Sequence, residues 1–150
     1  RGKFKTIVEA VRTSCDHDFV EYFDKVPHTQ LLYTFRVAKV APTFTLALVM
    51  RSVKTKRVMY KISVDGCPFL SNPIMNKALA PIYRRVLVNT TFKCPIPPRV
   101  YFMRSVAAAF EMPSFHPDGR YHMNARIKMS QSRAPYVMEI DWKYSIIHLK

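Results

Sequence analysis

Alternation of apolar and polar side chains is the dominant pattern along the chain, and it predicts β-strands. The pattern is clearest near the end, where apolar residues occupy every second position from Tyr121 to Met129 and from Tyr136 to Ile146. The linker SQSRAP between these two runs favours an antiparallel hairpin. One face of each run is apolar and the other polar, which is typical of an antiparallel sheet with one buried face.

Earlier segments repeat the pattern. It predicts strands around residues 33–38, 43–50, 60–64 and 100–106, and an edge strand within residues 1–15 for which a short helix is the alternative. Residues 16–29 are polar and aromatic, and we interpret them as a loop or bend. Short strands separated by turn signals predict an all-β fold, an antiparallel β-sandwich in a single domain over residues 1–150.

The period changes over residues 71–88, which predict one short helix between strands. Pro73 suits a first helical position. Pro81 lies inside the run, where it lacks an N–H and clashes with the preceding turn, so we expect a kinked or divided helix. The residues that recur every four positions are Ile74, Ala78, Ile82 and Val86.

The three cysteines, Cys15, Cys67 and Cys94, cannot all pair within one chain. A Cys67–Cys94 bridge would close a loop of about 27 residues, worth roughly 3–4 kcal/mol by chain entropy. The alternative is a pair of buried reduced thiols. A glycosylation triplet at Asn89 indicates secretion and so favours the bridge. No signal peptide is visible at Arg1, so secretion implies that the signal has been removed.

Charge adds a second expectation. The chain has 24 Lys and Arg against 10 Asp and Glu, a formal net charge of +14. This excess predicts attraction to an acidic protein, a glycan or a membrane surface, and the alternative is a solvated face that serves solubility alone. Nucleic acid is disfavoured because no recognised binding motif appears. The residues expected to form the basic surface are Arg51, Lys54, Lys56, Arg57, Arg84, Arg85, Arg99 and Arg104.

No residue pattern predicts an enzyme active site. The chain lacks a glycine-rich phosphate loop and the ligand spacing of a zinc site. Glu139 and Asp141 share a strand face, as glycosidase carboxylates can, but we favour a solvent-exposed polar row. We therefore predict a non-enzymatic protein without metal or cofactor. No transmembrane segment is expected, because no run reaches the roughly 20 apolar residues that a bilayer requires.

Two sequence blocks carry a family resemblance. VDGCPFL at residues 64–70 is followed by NTTFKCP at residues 89–95. Together they resemble the signature of a large arthropod family of small secreted proteins that includes the CheA/CheB-type chemosensory proteins. Residues 111–127, EMPSFHPDGRYHMNARI, are similar to the closing pattern of that family and to the ganglioside activator protein of the lipid-recognition (ML) class.

The resemblance implies secretion, no catalysis, and an immunoglobulin-like sandwich whose sheets splay apart to admit a lipid or another apolar or amphipathic ligand. Its chemosensory members extend this to a chemosensory role. Family members commonly carry a second N-terminal cysteine, which is absent here, so Cys15 is left unpaired or bridged to another chain. A filled core is the alternative to a ligand site. The residues expected to line that site are Phe35, Leu46, Ile62, Phe102, Met123, Ile127, Met138, Ile140 and Trp142.

Overall fold

The structure is a computed structural model that describes residues 3–29, 32–74, 77, 88, 93–104 and 118–149. Strands dominate this part of the chain, and the predicted all-β fold is confirmed. The elements are β1 (Lys3–Cys15), β2 (Val20–Lys25), β3 (Leu32–Val37), β4 (Thr45–Ser52), β5 (Val58–Asp65), α1 (Gly66–Ser71), β6 (Arg99–Arg104), β7 (Gly119–Lys128) and β8 (Met138–Leu149).

Two antiparallel sheets form the sandwich. The larger sheet has the strand order β1-β8-β7-β4-β5, and the smaller sheet has the order β2-β3-β6. The predicted edge strand near the N-terminus is confirmed, because β1 lies at one edge of the larger sheet and pairs with β8. The predicted terminal hairpin is also confirmed, with Tyr121 opposite Tyr144 and Ile127 opposite Met138.

The prediction of a loop or bend over residues 16–29 is wrong, because this segment contains β2. Val20 and Phe23 of β2 are buried in the core. A β-bulge between Val20 and Tyr22 shifts the register and turns two residues three positions apart to the same inward face. Strict alternation is lost at the bulge, and the sequence pattern therefore does not show this strand.

Two inward orientations predicted from alternation also differ from the structure. On β6, Tyr101 is buried and Phe102 is 41% exposed, so the opposite face of the strand points inward. On β5, Ile62 is 51% exposed. β5 is the edge strand opposite β1 in the larger sheet, which has five strands, whereas the smaller sheet has three. An outer strand of the larger sheet thus extends beyond the strands that face it.

The link between β5 and β6 contains the helix α1 and the predicted disulfide. Cys67 and Cys94 are bonded, with their Cα atoms 5.6 Å apart, which confirms the predicted pairing. α1 follows β5 directly, before the helix predicted over residues 71–88. Most of that helix, with Pro81, lies outside the described residues, as do Arg84, Arg85 and Asn89. Within the described ranges, no helix is both long and apolar enough to span a membrane.

Candidate functional site

An apolar cavity of about 190 Å³ lies between the two sheets. Each wall consists of the apolar, inward faces of several strands. The residues that line it from the smaller sheet are Val20, Phe23, Phe35, Val37 and Met103. The residues that line it from β4, β7 and β8 of the larger sheet include Leu46, Ala125, Ile127, Met138 and Ile140.

Strand register arranges the inward side chains of β4, β7 and β8 in rows across the larger sheet. The first two rows contribute lining residues and the third does not. The cavity therefore occupies one half of the sandwich. In order along the strands, the rows are Leu46–Ile127–Met138, Leu48–Ala125–Ile140 and Met50–Met123–Trp142.

The other half of the sandwich is packed. Tyr144 is completely buried and stacks on Tyr121, with ring centroids 5.8 Å apart. The Tyr144 hydroxyl donates to Met50 Sδ at 2.7 Å. Trp142 is 3% exposed beside them. Large rings and a hydrogen bond thus fill the space beyond the third row.

Burial on the open side is lower. Leu46, Ala125 and Ile127 are only partly buried, although they lie on the inward face of central strands. Side chains at the centre of a filled sandwich would contact the facing sheet on all sides. These three face the cavity instead, which accounts for their residual exposure.

An aromatic group forms the wall on the smaller sheet. Phe23 meets Phe35 edge to face at a centroid distance of 5.8 Å, and Phe35 stacks on Tyr101 at 5.1 Å. Such pairs hold large apolar rings in fixed positions. Because Phe23 and Phe35 both line the cavity, that wall is preorganised.

A backbone bridge between two chain segments forms part of the cavity wall. The lining residues Ala41 and Ile96 exchange two backbone hydrogen bonds of 3.0 and 2.8 Å. Cys94 lies two residues before Ile96 and is bonded to Cys67, so the disulfide ties this part of the wall to α1. The sequence predicts the disulfide but gives no sign that it lies beside the cavity.

Phe44, another lining residue, depends on a glycine. The Gly66 backbone N–H donates to the Phe44 carbonyl at 2.7 Å. A Cβ at Gly66 would lie 2.1 Å from the Phe44 ring, closer than any real contact. Any side chain at this point of the chain therefore requires the Phe44 ring to move.

The structure brings together only part of the predicted ligand-binding set. Phe35, Leu46, Ile127, Met138 and Ile140 line the cavity. Met123 and Trp142 are buried in the packed half, one row beyond it. Ile62 and Phe102 are exposed and do not line it. Val20 and Phe23 were missed because they belong to the bulged strand.

A polar network covers the outer face of the larger sheet, where the sequence predicted a solvent-exposed row. Glu139 is only 9% exposed and accepts hydrogen bonds from Asn124 and Arg126. Asp141 accepts from Asn124 at 2.7 Å and from Arg12 at 3.3 Å. The exposed-row interpretation is therefore wrong.

Both carboxyls of this network are held in the charged form. Burial acts to raise the pKa of Glu139, but hydrogen bonds from Asn124 and Arg126 outweigh it and lower that pKa overall. The pKa of Asp141 is likewise lowered by Asn124, Arg12 and His122 against the effect of burial. A glycosidase general acid needs a raised pKa. Neither residue has that property.

The free cysteine and the potential metal ligands were the remaining candidates for chemistry among the described residues. Cys15 is free within this chain and partly buried. Burial raises the pKa of its thiol, and Asp24 and Asp16 add to the effect, so the thiolate is disfavoured. Among the described residues, no group of three or more His, Cys, Asp or Glu side chains is placed to hold a metal ion.

The predicted basic surface is described in part. Arg51, Lys54, Lys56 and Arg57 are all exposed around the turn between β4 and β5. Within the described part of the chain, none of these four forms an ion pair. Arg99 and Arg104 lie at the two ends of β6 and are also exposed.

Comparison with known families assigns the chain. The model of the family described as "Protein of unknown function (DUF1091)" matches residues 44–123, more than half of the chain. The chain belongs to the DUF1091 family. The DUF1091 match begins at Phe44 on the cavity wall and contains both bonded cysteines. No curated protein matches the chain.

Proposed function

We propose that this DUF1091 protein binds a small apolar or amphipathic ligand between its two sheets, without catalysis. The observation that carries the proposal is the cavity of about 190 Å³ with an almost wholly apolar lining. An engineered apolar cavity of about 150 Å³ stays dry and takes up benzene. The space here is larger than that cavity and has a preorganised aromatic wall.

The size of the cavity limits the ligand. Pockets for drug-sized molecules measure roughly 300–1,000 Å³. A volume of about 190 Å³ lies below that range and suits one ring or one short chain better than a lipid with two chains. The proposed ligand is thus smaller than the lipid that the sequence resemblance implies.

The proposal includes secretion and a chemosensory role of the CheA/CheB type, on an immunoglobulin-like sandwich related to the ML class. The Cys67–Cys94 disulfide supports an oxidising compartment. The glycosylation triplet at Asn89 points to the same compartment. Mass spectrometry of protein expressed in insect cells tests this part, since an unmodified Asn89 would remove one of its supports.

Thermal unfolding with benzene, naphthalene or octanol tests the binding itself. A ligand that binds only the folded state stabilises it by about 2.7 kcal/mol at about 100 times its Kd. We expect Ala125→Leu to fill the cavity and abolish this stabilisation. Ala47→Leu is the matched control, because Ala47 lies on the neighbouring strand and does not line the cavity. No stabilisation of the native protein by any of these probes would refute the proposal.

A second candidate function rests on the four exposed, unpaired cations of the β4–β5 turn. They could dock an acidic partner such as a sulfated glycan, with binding that weakens as salt screens the charges. Heparin retention tests this candidate in a triple variant with Lys54→Glu, Lys56→Glu and Arg57→Glu. Lys25→Glu, an exposed charge on β2, is the control. Retention unchanged in the triple variant would exclude the turn as the docking site.

A further inference from the structure

We infer that the ligand is a single-chain amphiphile with an anionic head group, and that the ammonium of Lys39 receives that head group at the mouth of the cavity. This inference rests on the proposed function and specifies the chemistry of its ligand. It starts from the position of Lys39 in the chain. Val37, Lys39 and Ala41 all line the cavity at every second position, so a lysine occupies an inward position between two apolar ones.

Lys39 lies where the cavity meets solvent. Its side chain is exposed and also lines the cavity. A side chain can have both properties only at the opening of the cavity. The Ala38 N–H donates to the Phe19 carbonyl at 2.8 Å, which holds this segment beside Phe19. The Lys39 ammonium lies 5.0 Å from the centroid of the Phe19 ring, itself part of the lining. A lysine can place its methylene stem on apolar surface and keep the ammonium in water.

The ammonium has no carboxylate partner in the described part of the chain, where none of the ion pairs includes Lys39. The acidic groups nearest in sequence to Phe19 are Asp18, Glu21 and Asp16, and Glu21 pairs with Arg36. Asp16 accepts hydrogen bonds from Ser132 and from the Asp18 N–H. A charge on an apolar rim that has no counterion among the described residues is well placed for a charged group of a ligand.

Glu139, the other charged residue in the described lining, does not compete with the ligand head group for Lys39. Glu139 lies between Met138 and Ile140, and alternation along β8 turns its carboxylate to the outer face, where Asn124, Arg126 and Ser14 donate to it. Among the described lining residues, the cavity therefore presents apolar walls and the positive charge of Lys39. A hydrocarbon chain fits the walls, and a carboxylate or sulfate fits the charge.

Affinity for matched octyl compounds tests the inference by calorimetry. We expect octanoate and octyl sulfate to bind about threefold to tenfold more tightly than octanol, and octylammonium more weakly, as for an exposed charge pair. Comparing octanoate with octyl sulfate distinguishes the two anionic head groups. The preference for the anions should fall as salt rises above about 0.1 M.

Substitutions at Lys39 test whether its ammonium is the charge that binds the head group. We expect Lys39→Met and Lys39→Gln to bring the octanoate-to-octanol affinity ratio close to one, and Lys39→Arg to keep the native ratio. Lys61→Met is the matched control, because Lys61 is exposed on β5 and does not line the cavity. Unchanged thermal unfolding of the unliganded variants shows that they fold.

The outcomes separate the two claims. Equal affinity of the native protein for octanol and octanoate overturns the inference and leaves the proposed function in place. An anion preference that persists in Lys39→Met and Lys39→Gln also overturns it, since another group must then hold the head group. No binding of any octyl compound or of benzene refutes the proposed function itself.

Discussion

Gly66 illustrates how one residue controls the cavity wall. Its missing Cβ leaves room for the Phe44 ring, and its N–H bonds the Phe44 backbone. We expect Gly66→Ala to lower the free energy of unfolding by about 1–3 kcal/mol, because a packed ring must move. Urea denaturation followed by the fluorescence of Trp142, the single tryptophan, measures this change.

A second variant checks the cause. In a Phe44→Ala background the ring is absent, and Gly66→Ala should then cost much less. Two residues in contact give non-additive changes of this kind in a double-mutant cycle. The same cost in both backgrounds would contradict the steric explanation.

Glu139 determines part of the response to acid. Its pKa is lowered from an ordinary value of 4.5, so its charged form stabilises the folded state above that pH. The stability is lost as pH falls through the lower, folded-state pKa. We expect Glu139→Gln to destabilise the protein at neutral pH by about 1–3 kcal/mol and to show a smaller further loss towards acid pH.

Urea midpoints at neutral pH and at about pH 3 measure both effects. Glu21→Gln is the control, because Glu21 pairs with Arg36 on the surface and both side chains are more than half exposed. That variant should follow the native protein closely. An equal loss of stability on acidification in Glu139→Gln and the native protein would contradict the role given to Glu139.

At the scale of elements, the disulfide is the main covalent constraint. It spans 27 residues between α1 and the segment that carries Ile96. Replacing both Cys67 and Cys94 by alanine should cost about 3–4 kcal/mol, since the unfolded chain regains the entropy of the open loop. Cys15→Ala is the control for loss of a thiol, because Cys15 is free.

The expected result has a second part at the cavity. Without the bond, Ile96 keeps its backbone pairing with Ala41 but loses the nearby covalent link to α1. We therefore expect weaker binding of octanol in the double alanine variant. Denaturation and calorimetry on the same samples check the two parts. A double variant as stable as Cys15→Ala would show that the loop is already constrained by other contacts.

Strand prediction succeeded where alternation was regular and packing followed it. β3, β7 and β8 turn inward the faces that the sequence indicates, with Tyr33, Phe35 and Trp142 buried. β2 was hidden by its bulge, which spaces Val20 and Phe23 like residues of a helix. β6 carries apolar residues on both faces, so alternation does not decide between Tyr101 and Phe102.

The whole molecule has an excess of positively charged side chains, and folding brings these side chains closer to one another. With a net charge of +14, we expect repulsion to destabilise the compact state by more than the surface ion pairs stabilise it. We expect the urea midpoint to rise as sodium chloride increases from about 0.01 M to about 0.15 M, because the Debye length falls from about 30 to about 8 Å.

A variant with less charge provides the comparison. Lys54→Gln, Lys56→Gln and Arg57→Gln together remove three exposed cations from one turn. The salt dependence should then be smaller. A midpoint that falls with salt in the native protein would mean that its ion pairs outweigh the repulsion.

The choice between a filled core and a cavity is also a property of the whole molecule. The sequence identifies Leu46, Ile127, Met138 and Ile140 as inward residues, but the same residues would suit either arrangement. The outcome depends on the space between the two sheets. On the larger sheet, the rings of Tyr121 and Tyr144 fill one half, whereas the residues of β4, β7 and β8 that line the cavity in the other half are not aromatic. Alternation within a strand contains no information on that spacing.

The row of Leu48, Ala125 and Ile140 separates the packed half of the sandwich from the open half. Ala125 is its smallest member, and it lines the floor of the cavity. If the cavity binds a ligand as proposed, we expect a change of side-chain size at this position to alter the length of ligand that fits, while the tyrosine-packed half keeps its contacts. On this fold, selectivity for chain length can diverge without a matching change in stability.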